Sequence, residues 1–203
     1  MKTYKIHLIR HGTTFGNLEG QYIGVTDVDL TTNSIKELKR LKNLGIYPKV
    51  DMVFSSPLKR ATESAKIIYD KSPIIIENFK EINFGDYEGK TMEELSEDEY
   101  FKEWVLGKKE RPLNGESFRE FVNRLSLGLW QMVEAMMNNN CYSAAAIMHS
   151  GAIMALLIPS ALPRKKALSD WACDAGKGFT IRITPSIYAS SGIIEVIDII
   201  DEE

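Results

Sequence analysis

The sequence predicts an α/β fold of three layers, α/β/α, with a mostly parallel central sheet, one antiparallel edge and a helical excursion covering the site. Short runs rich in apolar and β-branched residues alternate with longer helical patterns, the order that lays parallel strands side by side with crossover helices on both faces. No internal repeat, low-complexity tract or Pro/Gly linker divides the chain, so residues 1–203 read as a single domain. The composition, 44% hydrophobic and 26% charged over 203 residues, is that of an ordinary globular chain, and a chain of this length buries a core without help from disulfides or metals.

The elements follow in order. A strand over Tyr4–Arg10 leads straight into His11-Gly12. Thr31 opens a helix running towards Leu44, stopped by Gly45 and then Pro48. After a strand over Met52–Ser55, Ser56-Pro57 reads as an N-cap with proline at the first helical position, so Arg60 falls on the opening turns of the next helix. A third strand is expected at 74–77. Between Gly85 and Pro112 the chain is polar and rich in Glu and Lys, which suits a partly helical cover over one end of the sheet. Ser117-Phe118-Arg119-Glu120 has capping-box spacing and opens a long amphipathic helix reaching about Met137. Together these make residues 85–140 a helical excursion, or lid, within the domain. A strand at 143–149 precedes a helix beginning near Gly151. Strands at 179–184 and 193–199, joined by a turn-rich stretch from Pro185 to Gly192, read as an antiparallel hairpin at the sheet edge.

Several function classes are excluded. Cys141 and Cys173 lie far apart and form no CxxC pair, so neither a zinc site nor a redox couple is indicated. No metal-ligand cluster is visible, and no cofactor is expected. A net charge of −3 supplies no global basic field for nucleic acid. The N-terminus enters an apolar strand at once, and the longest apolar run, from Ala152 to Ile158, is too short to span a bilayer. A cytoplasmic protein with no membrane partner is therefore expected. Gly85-Asp86-Tyr87-Glu88-Gly89-Lys90-Thr91 imitates a phosphate-cradling P-loop. It has one residue too few between its glycines, and its acids would repel a triphosphate.

What remains is a set of residues at strand ends. His11 and His149 each finish a predicted strand beside glycine, and carboxyl ends of strands are where open α/β sheets bind ligands. The helix beginning near Gly151 aims free N–H groups at the same spot, which favours an anion. A lone strand-end histidine is usually packing or solvated surface, but two at matching ends, one preceded by Arg10, are a stronger signal. His7, in mid-strand, reads as structural. Arg10 and Arg60 supply guanidinium forks that match phosphate oxygens, although Arg60 alone could equally pair with Glu63 or Glu81. Glu81 is the acid candidate, with Asp86 and Glu88 close by and unranked by sequence alone.

Read together, these segments resemble the histidine phosphatase superfamily, which includes phosphoglycerate mutase-like enzymes and small-molecule phosphatases. The matching pieces are Arg10-His11-Gly12-Thr13 with Asn17, Gly24 through Thr31, Ser55-Ser56-Pro57-Leu58-Lys59-Arg60-Ala61, Glu81 through Gly89, Gly115-Glu116-Ser117 and His149-Ser150-Gly151. They stand in the family's order from about residue 4 to 160. The resemblance implies that His11 becomes phosphohistidine. Arg10, Arg60 and His149 would surround the phosphoryl group, helped by Asn17 and the backbone near Gly24, and Glu81 would be the acid and base. Ser34 and Ser150 stand where the family usually has glycine, and the segment from Asp170 to Phe179 follows no recognisable version of the pattern.

The implied activity is metal-independent hydrolysis of a small phosphorylated metabolite. Glu81-Ile82-Asn83-Phe84-Gly85 is similar to the phosphatase version of the acid segment, including that of α-ribazole phosphatase, rather than to the mutase's Glu-Arg-His-Tyr-Gly. The chain is also shorter than typical mutases. A phosphoglycerate mutase-type phosphotransferase is the alternative, with Lys108, Lys109 and Arg111 as the nearest substitute for its anion-gripping arginines. A non-catalytic phosphate-binding module would be expected to lose some of Arg10, His11, Arg60, Glu81 and His149, and all five are present. The apolar edge of the final hairpin leaves a homodimer open.

Overall fold

A computed structural model of the chain describes residues 2–202. In chain order its elements are β1 (Tyr4–Arg10), α1 (Phe15–Leu18), α2 (Thr32–Asn43), β2 (Met52–Ser55), α3 (Lys59–Tyr69), β3 (Ile74–Ile75), α4 (Glu99–Val105), α5 (Phe118–Asn138), β4 (Ser143–Met148), α6 (Ser150–Ser160), β5 (Ala161–Leu162), β6 (Gly178–Ile183), α7 (Pro185–Ser191) and β7 (Ile194–Ile200). The strands form one sheet in the order β3-β2-β4-β1-β6-β7-β5. β3, β2, β4 and β1 run parallel, and β6 is antiparallel to both β1 and β7.

The two-residue period of the strands divides the core between the two faces. Ile6, Leu8, Phe54, Ala144, Ala146 and Met148 pack on one face with Phe121, Leu125 and Met132 of α5 and Ile153 and Leu156 of α6. Ile9, Val53, Ala145 and Ile147 point the other way and meet Leu38 of α2 and Ala61, Ala65 and Ile68 of α3. The alanines of β4 let the helices on both faces approach the centre of the sheet closely. α5 starts with the expected capping box, the Ser117 hydroxyl accepting from the Glu120 N–H while Glu120 accepts from the Ser117 N–H.

Several boundaries differ from expectation. β3 stops at Ile75 because Glu77–Phe79 winds into a 3-10 turn that buries Phe79 completely. α3 starts at Lys59, not beside Ser56, whose hydroxyl is directed elsewhere. The stretch after β6 is the short helix α7, with Pro185 in its first turn and Gly192 at φ 66° closing it, so β6 and β7 are antiparallel neighbours without being a tight hairpin. The edge beyond them is β5, which pairs in parallel with the first two residues of β7. The excursion is divided as well. α5 belongs to the main core, while Tyr87, Leu95 and Phe101 form a satellite cluster with Tyr22, Phe84, Tyr100 and Trp104. Among the described residues no helix is long and apolar enough to cross a membrane.

Candidate active site

The register of the two central strands builds the site. Arg10 lies opposite Met148 in the β1–β4 ladder. The next residue on each strand is therefore a histidine, and the His11 N–H donates to the Met148 carbonyl at 2.9 Å. The rings of His11 and His149 meet edge to face with centroids 5.0 Å apart, and both are buried.

The hydrogen bonds of His11 fix which nitrogen carries its proton. Nδ1 lies 2.6 Å from the Gly12 carbonyl, which can only accept, so Nδ1 is the protonated nitrogen. Nε2 accepts from Arg60 Nε at 3.2 Å, so its lone pair faces the pocket. Burial, with Arg60 alongside, pushes the ring's pKa down to about 3 and keeps it neutral. His149 is likewise kept neutral, its pKa pushed well below the ordinary histidine value by burial first and then by Arg60. Its Nε2 lies 2.8 Å from Ser56 Oγ. Ser56 Oγ also accepts from the Leu58 N–H at 3.4 Å, and its hydroxyl proton can be given to His149 Nε2; in that tautomer His149 Nδ1 is the donor.

Arg60, 1% exposed near the start of α3, is gripped by backbone. Its Nη2 donates to the Gly24 carbonyl at 2.6 Å and its Nη1 to the Thr26 carbonyl at 2.9 Å. That loop is held in turn by Glu88. The Glu88 carboxylate accepts from the N–H groups of Gly24, Val25, Thr26 and Phe84 at 3.0–3.2 Å, and from the Thr26 hydroxyl at 2.6 Å. A Cβ at Gly24 would overlap the Ile82 carbonyl, so the close approach requires glycine there.

Glu81 closes the other side. Its carboxylate accepts from the Ile82 N–H and from the Gly151 N–H, both at 2.9 Å. Gly151 is in the first turn of α6, two residues beyond His149. Burial raises the Glu81 pKa despite these bonds and the nearby Arg60. Arg10 donates from Nη1 to the Cys173 carbonyl at 2.8 Å, and its main chain bonds Gly176 and Lys177. The unreadable segment from Asp170 to Phe179 therefore packs against the arginine of the site. Among the described residues six buried side-chain polar atoms lack a hydrogen-bond partner, and two of these, Arg10 Nε and His149 Nδ1, belong to this cluster.

Arg10, His11, Arg60, Glu81 and His149 are thus brought together. Gly24 is present through its carbonyl, while its N–H is committed to Glu88. Asn17 sits in the capping box of α1, exchanging bonds with Thr14 at 3.1 and 3.3 Å. Asp86 is set apart, bonded by the Asn114 amide. Sequence reasoning missed Ser56 as a partner of His149 and left Glu88 unranked. It also passed over Arg124, an arginine beside the apolar stripe of α5, where an unbroken stripe would have been expected.

The chain is similar to several known proteins. The adenosylcobalamin/alpha-ribazole phosphatase of Salmonella typhimurium is 28% identical over 160 residues, 76% of this chain and 77% of the relative. The 2,3-bisphosphoglycerate-dependent phosphoglycerate mutase of Bifidobacterium longum is 36% identical over 115 residues, 50% of this chain and 46% of the relative. The crystal structure of the alpha-ribazole phosphatase from Shigella flexneri superposes with a TM-score of 0.81 over 97% of this chain and 96% of that one, at 24% identity, and so speaks for the fold. Residues 6–173 match the family described as histidine phosphatase superfamily (branch 1), a span that contains every side chain of the cluster. The chain belongs to the histidine phosphatase superfamily.

Proposed function

We propose that the protein hydrolyses small phosphate monoesters without a metal, through a phosphohistidine on His11. The observation that carries this is the state of the His11 ring, neutral, with its one proton committed to the Gly12 carbonyl and its Nε2 free to accept from Arg60, in a cluster that also holds Arg10, His149 and the buried carboxyl of Glu81. Nε2 attacks phosphorus as the bond to the ester oxygen breaks, and Glu81 gives its proton to that oxygen, so a neutral alcohol leaves. Arg60 exchanges its bond to Nε2 for bonds to the phosphoryl oxygens, and Arg10 and His149 Nδ1 supply further donors to the charge spread over those oxygens. A water then attacks the phosphohistidine and gives its proton to the Glu81 carboxylate. Inorganic phosphate leaves and both residues regain their starting states.

The mutase alternative has support in the phosphoglycerate mutase among the relatives. Against it, two of its three candidate anion grips are already engaged. Lys109 pairs with Glu103 at 3.1 Å and Arg111 with Glu120 at 3.2 Å. Turnover of an aryl phosphate in the presence of a chelator tests the proposal. The native chain should release phosphate and carry an acid-labile, alkali-stable phosphoryl label that His11→Ala lacks. Activity surviving His11→Ala would overturn it. Strong dependence on a bisphosphate primer with little net phosphate release would favour the mutase.

A further inference from the structure

Arg124, on α5, has no part in the chemistry above, yet every N–H of its guanidinium is used. Nε and one Nη2 proton form a fork on Glu116 at 2.7 and 2.8 Å. The remaining three donate to main-chain carbonyls, those of Asn78 at 2.9 Å, Lys80 at 2.7 Å and Glu81 at 2.8 Å. Asn78 lies in the 3-10 turn over Glu77–Phe79 and Lys80 and Glu81 just beyond it, and no strand or helix ladder bond is made to these three carbonyls. Glu116 ties the same stretch from the other end, its N–H donating to the Asn83 carbonyl at 2.9 Å. A buckle of two side chains therefore stands in for secondary structure on the segment that carries Glu81.

We propose that Arg124, held by Glu116, is a positioning residue that fixes the main chain of residues 78–81 so that the Glu81 carboxyl meets the departing ester oxygen. This rests on the assignment of Glu81 as proton donor made above. Lysine at 124 keeps the charge but offers three donors from one point, and cannot span Glu116 and three carbonyls at once.

The test uses the leaving group. An alkoxide needs a proton as it departs, whereas a 4-nitrophenolate leaves without one, and kcat/KM reports only the steps up to release of the alcohol. Arg124→Lys should lower kcat/KM for an alkyl phosphate by about tenfold or more, with 4-nitrophenyl phosphate changed by less than about threefold. Glu116→Gln, nearly isosteric, should shift the alkyl-to-aryl ratio in the same direction by a smaller factor, and it decides the matter if Arg124→Lys does not fold. Equal losses on both esters, or no change in the ratio, would overturn the positioning role. Glu81→Gln is the control. If it too leaves the ratio unchanged, the assignment of Glu81 fails; if it moves the ratio while the two buckle variants do not, the positioning role alone fails.

Discussion

In the proposed mechanism His11 attacks through Nε2 only while that nitrogen is unprotonated, and Glu81 assists departure only while it is protonated. With the His11 pKa pushed down to about 3 and that of Glu81 raised, both conditions hold together above the one and below the other. The limiting event at higher pH is then the loss of the Glu81 proton. We expect kcat/KM for an alkyl phosphate to fall as pH rises through the raised Glu81 pKa, a limb that Glu81→Gln removes at a lower plateau. A limb that persists unchanged in that variant would assign it to another group. The position of the carboxyl is set by Gly151, since a Cβ there would lie 2.6 and 2.8 Å from the two Glu81 oxygens. Gly151→Ala should therefore displace the acid while leaving Arg10, Arg60 and His11 in place. A positioned general acid contributes about 10²–10⁴-fold, so its displacement should lower kcat for an alkyl ester by about tenfold or more. Steady-state kinetics check this, and an undiminished kcat would mean that Glu81 does not act from this position.

At the scale of elements, the site depends on loops that strands and helices hold only at their ends. The loop carrying Gly24 and Thr26 presents its carbonyls to Arg60 and its N–H groups to Glu88, so one carboxylate orients the arginine beside His11. Glu88→Gln would turn an NH2 group towards two of those N–H donors. Leaving such groups unpaired costs about 1–3 kcal/mol, and we expect kcat/KM to fall about tenfold to a hundredfold on alkyl and aryl esters alike. Unchanged kinetics would show that the loop holds its shape without the clamp. This layer was the least legible in the sequence. Strand-end histidines, capping boxes and the alternation of runs follow local rules, so β1, β2, α2, α5 and the pairing of His11 with His149 could be read before the fold was seen. Glu88 and Arg124 act on backbone far away in sequence and Ser56 on the distant His149 ring, and an acid in a loop, a serine before proline or an arginine beside an apolar stripe carries no local mark of its distant partner. Ser56-Pro57 misled for the same reason. A cap was expected where tertiary contact draws the hydroxyl to His149. Likewise Pro185 to Gly192 reads as a turn because proline and glycine mark both a turn and the two ends of a short helix.

For the molecule as a whole, burying His7, His11 and His149 in neutral form has a consequence for stability. His7, bonded to Thr180 in the sheet, has its pKa lowered to about 4, His11 to about 3, and His149 well below its usual value, in each case first by burial. In the unfolded chain all three take up protons near pH 6.5, so below that value the unfolded state binds protons that the folded state refuses. Stability contributed by a group with a depressed folded pKa is present above the unfolded pKa and lost as pH falls towards the folded one. Each histidine contributes a slope of about 1.4 kcal/mol per pH unit in that window. Glu81 works in the opposite sense, since its raised pKa favours the folded state as pH falls. The net expectation is a loss of stability as pH falls below 6.5, with each histidine contributing up to about 1.4 kcal/mol per pH unit and Glu81 opposing them. Urea denaturation at pH 7.5 and at pH 5.5 measures it directly, as a fall in the midpoint at the lower pH. His7→Gln, which leaves the phosphoryl pocket untouched, should reduce the slope by one histidine's share, and a midpoint independent of pH across that interval would show that the three rings are protonated in the folded state.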